Sequence, residues 1–287
     1  MDQPLIDTFL LESPSLNDHL EITIALPVGL DPEGGRTPVI YVLDPIVNFQ
    51  PVVAAANYLF MGSTMFGGNM PRVIVAGIGY AVDHPGQIMA KRARDLTPSA
   101  GKSNPIKLPR FPHGVGGAAR FLDVLSKQVL PEVESRYPAD PKNRTLVGHS
   151  FGGLFSLYTL FHSPDMFSRY LCVSPSLWWD NKLALRYEQA WADGHQDLAA
   201  KVFLAVGREE QSKSGSWRNE GAPNELLAAA RQVENLSELA LRLEMRKYQH
   251  LDLAHAVLSD EYHFTVMPTA ITRGLLFLHD RAWDDGP

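Results

Sequence analysis

Polar and apolar positions alternate along Leu20–Glu21–Ile22–Thr23–Ile24–Ala25–Leu26, and more loosely through residues 5–30. A period of two predicts an antiparallel hairpin at a sheet edge. Asp31–Pro32–Glu33–Gly34–Gly35 reads as a turn. The pattern then changes: Pro38–Val39–Ile40–Tyr41–Val42–Leu43 is continuously apolar, as a strand buried on both faces must be. Arg72–Gly79, Thr145–Val147, Arg169–Val173 and Lys201–Val206 read the same way. Helical spacing separates these runs. Residues 47–61 look helical, and Ala118, Phe121, Leu122, Leu125, Val129 and Val133 define an amphipathic helix of about five turns. A helix lies near residues 181–192, and Asn224 caps another through Leu226, Ala230 and Val233. Leu241–Tyr248 alternates and reads as the last strand, followed by a loop to about residue 264 and a closing helix through Ile271, Leu275 and Leu278. Strands alternating with helices predict an α/β fold with a mostly parallel central sheet, helices on both faces and an antiparallel N-terminal edge.

Residues 81–116 break this rhythm. They are rich in proline and glycine, lack periodicity, and read as an irregular, lid-like insertion within one domain spanning residues 1–287. No repeat or linker divides the chain. The segment is also basic, with Lys91, Arg92, Arg94, Lys102, Lys107 and Arg110 against Asp83 and Asp95. Gly114–Val115–Gly116–Gly117 follows a loop rather than a strand, which rules out a dinucleotide fingerprint.

Composition narrows the partners. The 287 residues are 45% hydrophobic and 20% charged, enough for a full core, and the net charge of −6 argues against nucleic acid. No apolar run is long enough for a membrane span. The first residues lack a basic region followed by an apolar run, so no secretion signal and a cytoplasmic location are expected. The single cysteine, Cys172, sits in an apolar strand and is expected to be a packed thiol. No His-Glu-x-x-His or paired-cysteine pattern occurs, so neither metal nor cofactor is expected.

Chemistry concentrates at Gly148–His149–Ser150–Phe151–Gly152. A strand, Gly-x-Ser-x-Gly and a helix form the setting of a nucleophile elbow, in which a strained turn presents the serine hydroxyl at the strand's carboxyl end. Ligands of open α/β sheets bind beyond those ends, so partners for Ser150 are sought just after strands. Gly207–Arg208–Glu209–Glu210–Gln211 offers an acid, Glu210 first and Glu209 in reserve. Of His250, His255 and His263, the last lies directly before the closing helix and completes the chain order serine, acid, histidine. The backbone N–H of Phe151 is one expected oxyanion donor. Because Pro45 has no N–H, Ile46 is the expected second.

These stretches resemble the esterase group of α/β-hydrolases that contains the enterobactin, salmochelin and bacillibactin (siderophore trilactone) esterases, and the resemblance covers most of the chain. Val39–Asp44 is similar to the family's Leu-Asp-Gly strand end, with Pro45 in place of the glycine. Arg94–Asp95–Leu96–Thr97–Pro98 resembles its Arg-x-x-Asp-x-Thr-Pro segment, Ser174–Trp179 its post-strand loop, and Gly207–Gln211 its Gly-x-x-Glu turn, which favours Glu210. His263 followed by Val266–Met267–Pro268 resembles its histidine and terminal helix. The resemblance implies a serine esterase acting through an acyl-enzyme on a small-molecule ester, with Asp44, Arg94, Trp178 and Trp179 facing substrate. A siderophore lactone is the bulky candidate. The basic 91–110 segment could meet negative charge, and Trp178, Trp179 and Trp217 could stack on rings. The rival readings are an acyltransferase using the same triad, a small-ester carboxylesterase, and a binding protein on an inactive scaffold.

Overall fold

The computed structural model describes residues 4–30, 35–82, 84, 86–212 and 224–279. Most of the turn read at Asp31–Gly35 lies outside these residues, as do Asp83 and Trp217.

The chain builds one eight-stranded sheet. Its strands are β1 Leu5–Ser13, β2 Asp18–Leu26, β3 Thr37–Leu43, β4 Ile74–Tyr80, β5 Ala139–His149, β6 Arg169–Val173, β7 Ala200–Gly207 and β8 Leu251–Leu258. Their order is β1-β2-β4-β3-β5-β6-β7-β8. The first two form the expected antiparallel hairpin, and β2 also runs antiparallel to β4. Every pairing from β4 to β8 is parallel. The parallel strands feed two cores. Val39, Tyr41 and Leu43 of β3 pack on one face with Tyr170 and Cys172 of β6, and Val202 and Leu204 of β7. Ile40 and Val42 pack on the other with Leu171, Val173, Phe203 and Ala205. Alternate side chains point to opposite faces, so burial on both faces demands the unbroken apolar runs seen in the sequence.

The helices are α1 Pro45–Phe66, α2 Gly86–Leu96, α3 Ala118–Val124, α4 Leu130–Arg136, α5 Phe151–His162, α6 Leu183–Gly194, α7 Asn224–Ala230, α8 Gln232–Arg246 and α9 Val266–His279. Helices α1 and α9 cover one face; α3, α4, α5 and α8 cover the other. The single amphipathic helix expected from Ala118 passes through a π turn, Leu125–Val129, between α3 and α4.

Two expectations change. The 81–116 segment is not irregular throughout, because α2 occupies its first half. Its three-turn periodicity is masked in sequence by charged residues that face inward. Leu241–Tyr248 is not the last strand: residues 241–246 are the end of α8, Lys247 caps it, and β8 follows. Leu236, Leu239, Ala240 and Leu243 are buried at helical spacing, whereas Leu241 and Met245 are exposed. The alternation of Leu241, Leu243 and Met245 is a coincidence of composition.

Pro45 follows Asp44, whose left-handed backbone (φ 53°) turns the chain from β3 into α1. Two glycines of β4 make room for it. A Cβ on Gly77 would lie 2.7 Å from Pro45 Cβ, and one on Gly79 would lie 2.9 Å from Pro45 Cγ.

Candidate active site

Three strand ends converge on Ser150. The residue adopts φ 60° and ψ −117° between β5 and α5, a conformation that costs an L-residue energy and is kept only where the surroundings hold it. Its N–H donates to the Val173 carbonyl at 3.0 Å, and its carbonyl accepts the N–H of Leu154 at 2.9 Å and of Ser176 at 3.1 Å. Glycine is required two residues before it: a Cβ on Gly148 would meet the Gly152 carbonyl oxygen at 2.2 Å. The Ser150 hydroxyl stands 3.5 Å from that of Ser176.

The β7 end supplies Glu210, almost fully buried on a 3-10 turn, Arg208–Glu210. Its Oε1 accepts the Ser174 hydroxyl at 2.5 Å and the Gly207 N–H at 2.8 Å. Its Oε2 lies 2.6 Å from Nδ1 of His263, on the loop between β8 and α9. The neighbouring Glu209 anchors that loop through its backbone, its N–H donating to the Glu261 carbonyl at 3.0 Å. The other two histidines pair elsewhere, His250 with Asp197 and His255 with Glu244.

Ser150, His263, Phe151, Ile46, Asp44 and Trp178 line one cavity of about 590 Å³. Phe151 and Ile46 sit in the first turns of α5 and α1, where backbone N–H groups have no intrahelical partner. His149 also borders the cavity, its ring centroid 4.5 Å from that of His263. Burial, reinforced by His263 and Arg92, holds its pKa well below the usual histidine range. Its Nε2 has no hydrogen-bond partner among the described residues.

Two expected substrate contacts do not reach this cavity. Arg94 binds Asp95 with both Nε (2.8 Å) and Nη2 (2.7 Å), and reaches Asp18 at 3.2 Å. The arginine that lines the cavity is Arg92, bound to both Asp44 oxygens at 2.8 and 2.9 Å. The signal was available, because Arg-x-x-Asp-x-Thr-Pro spacing places the arginine three residues before Asp95, at 92. Helical periodicity agrees: Ile88, Met89 and Arg92 share the cavity face of α2, while Lys91 and Arg94 face Asp18. Burial opposes the Arg92 charge, but Asp44 outweighs it and raises its pKa above the ordinary guanidinium range. Trp179 is 1% exposed, packs edge-on against Phe151 and donates its indole N–H to Ser99 at 3.0 Å. It borders a separate cavity of about 460 Å³. Trp217 lies outside the described residues. Ser174, Ser176 and Phe264 were not singled out by the sequence; the first two belong to the post-strand loop, a signal that could have found them.

A hydroxyl on a strained turn, an imidazole held by a buried carboxylate and free N–H groups around one apolar cavity can carry acyl transfer. Comparison with known proteins points the same way. Residues 13–256 match the model of the family described as "Putative esterase". The chain belongs to this esterase family. It is 31% identical to the ferri-bacillibactin esterase BesA of Bacillus subtilis, over 99% of this chain and 92% of that protein. It is 30% identical to the siderophore triacetylfusarinine C esterase of Aspergillus fumigatus, over 96% and 94%. The crystal structure of the BES protein from Bacillus cereus superposes with a TM-score of 0.78 at 29% identity, covering 96% of each chain. The fold is that of the α/β-hydrolases, and the protein is a carboxylic ester hydrolase.

Proposed function

We propose that this esterase uses Ser150, His263 and Glu210 as a catalytic triad and cleaves a bulky siderophore ester. The observation that carries the reading is the 2.6 Å contact between Glu210 and His263 Nδ1, in a cavity that Ser150 shares. With Nδ1 bound to the carboxylate, Nε2 is the nitrogen that takes the Ser150 proton as the hydroxyl attacks the ester carbonyl. The backbone N–H groups of Phe151 and Ile46 stabilise the oxyanion. The alcohol leaves with the proton from His263, and a water activated by the same ring releases the acyl group. No cofactor takes part. The siderophore assignment draws on the two relatives, both named for siderophore ester cleavage. Among the described residues no helix is long and apolar enough to cross a membrane. We place the enzyme in the cytoplasm; its single cysteine, Cys172, has no intrachain partner in any compartment.

A fluorophosphonate probe should label the wild type and not Ser150→Ala, and absence of label on folded wild type would count against the triad. An ester panel from p-nitrophenyl acetate to siderophore lactones and esters tests the substrate. Turnover of short esters with none of any siderophore would remove that assignment while keeping the triad.

A further inference from the structure

The basic segment that the sequence offered to an anionic substrate is already occupied by the protein's own carboxylates. Lys91 donates to Asp18 at 2.7 Å and to the Ala81 carbonyl at 2.9 Å. Arg94 is bound by Asp95 and Asp18, and Arg92 by both oxygens of Asp44. The side chains of Lys91, Arg92 and Arg94 are only 12%, 12% and 11% exposed. Of the segment's other charges, Arg110 borders the neighbouring cavity, across a wall of Leu108, Pro109 and Phe111 that both cavities share.

Among the described residues the cavity beside Ser150 is therefore electrically balanced. Its described charged lining residues are Asp44 and Arg92, which neutralise one another, and His263 is matched by Glu210. The remaining wall is largely apolar, and Ile46, Val47, Met89 and Phe264 stand exposed at 63%, 63%, 51% and 79% around it. Among the described residues, an anionic group entering here would lose water without gaining a free cation. To use Arg92 it would have to displace Asp44, leaving a buried carboxylate unpaired.

We propose that this cavity selects esters that are uncharged near the scissile bond and discriminates against anionic ones, a specificity that rests on Ser150 being the nucleophile. For iron carriers the chemistry divides cleanly. A hydroxamate gives up one proton per chelating group, so three of them neutralise a ferric ion, whereas catecholates give up two each and leave a net negative complex. The uncharged ferric hydroxamate ester is the class that fits.

The test compares p-nitrophenyl hexanoate with the p-nitrophenyl half-ester of adipic acid, equal in chain length and different in charge. The wild type should favour the neutral ester by roughly tenfold or more in kcat/KM at pH 7. Val47→Lys, at an exposed rim position, should narrow that ratio several-fold, with the gain fading as salt rises. Comparable turnover of both esters, abolished by Ser150→Ala, would overturn the charge selectivity and keep the triad. Turnover of neither would overturn both. A ratio unmoved by Val47→Lys in folded protein would show that charge is not what the cavity reads. With natural carriers, the ferric hydroxamate ester should be cleaved faster than the ferric catecholate lactone, and the reverse order would overturn the proposal. Cleavage of neither carrier, with the simple esters still separated by charge, would uphold it and remove only the siderophore assignment.

Discussion

Glu210 and Glu209 are adjacent, both about 2% exposed, yet only Glu210 holds His263. In the proposed triad, Glu210→Gln removes the charge that stabilises the imidazolium and can favour the wrong tautomer. It should lower kcat by roughly 10³- to 10⁴-fold. Glu209→Gln should leave kcat of the folded enzyme within about twofold, since the proposed triad gives Glu209 no place in the proton path. Steady-state kinetics on one activated ester decides between them. His149 supplies a second residue-scale prediction. Two imidazoles face each other 4.5 Å apart, and burial keeps the His149 ring neutral well below the ordinary pKa. His149 should then add no ionisation of its own to the acid limb of log kcat/KM against pH, and the slope of that limb should not exceed one. A slope of two would mean that His149 also protonates in the working range. Ser150, Glu210 and His263 were legible because chain order and strand-end position constrain them together. Arg92 was legible only through the register of Arg-x-x-Asp-x-Thr-Pro, because its place in a run of basic residues does not by itself reveal which neighbour a guanidinium will meet.

At the scale of elements, buried strands announced themselves because burial on both faces permits few polar residues. The last strand did not. β8 is a half-exposed edge strand, and its sequence Leu251–Asp252–Leu253–Ala254–His255 is no more regular than the end of α8 before it. The two assignments of residues 241–246 make opposite predictions. On a strand, Leu241, Leu243 and Met245 would share one face and substitution would cost similar amounts. On α8, Leu243 is 1% exposed and packs in the core, whereas Leu241 is 56% exposed. Leu243→Ala should cost about 2–5 kcal/mol. Leu241→Ala should stay within about 0.5 kcal/mol. Urea midpoints at constant m-value measure both.

For the whole molecule, acid stability depends on a histidine that does not line the cavity. His279, the last described residue of α9, is buried, and its Nε2 lies 3.1 Å from the Thr145 hydroxyl at the start of the elbow strand's core segment. Burial, helped by Arg169 and Lys201, depresses its pKa from 6.5 to about 3. The unfolded chain takes up this proton near pH 6.5, while the native state resists it until about pH 3. Between those values the unfolded state binds more protons, so stability falls as pH falls. Above pH 6.5 both states are neutral and the full stability is present. This one group should remove about 1.4 kcal/mol for each pH unit below 6.5. His149 acts in the same direction, because its folded pKa is also lowered. Urea unfolding of wild type and His279→Gln between pH 6.5 and pH 5 isolates the effect before most carboxylates titrate. The variant's stability should decline less steeply, by about 1.4 kcal/mol per pH unit. Equal slopes would mean that His279 takes up its proton in the native state as readily as in the unfolded chain.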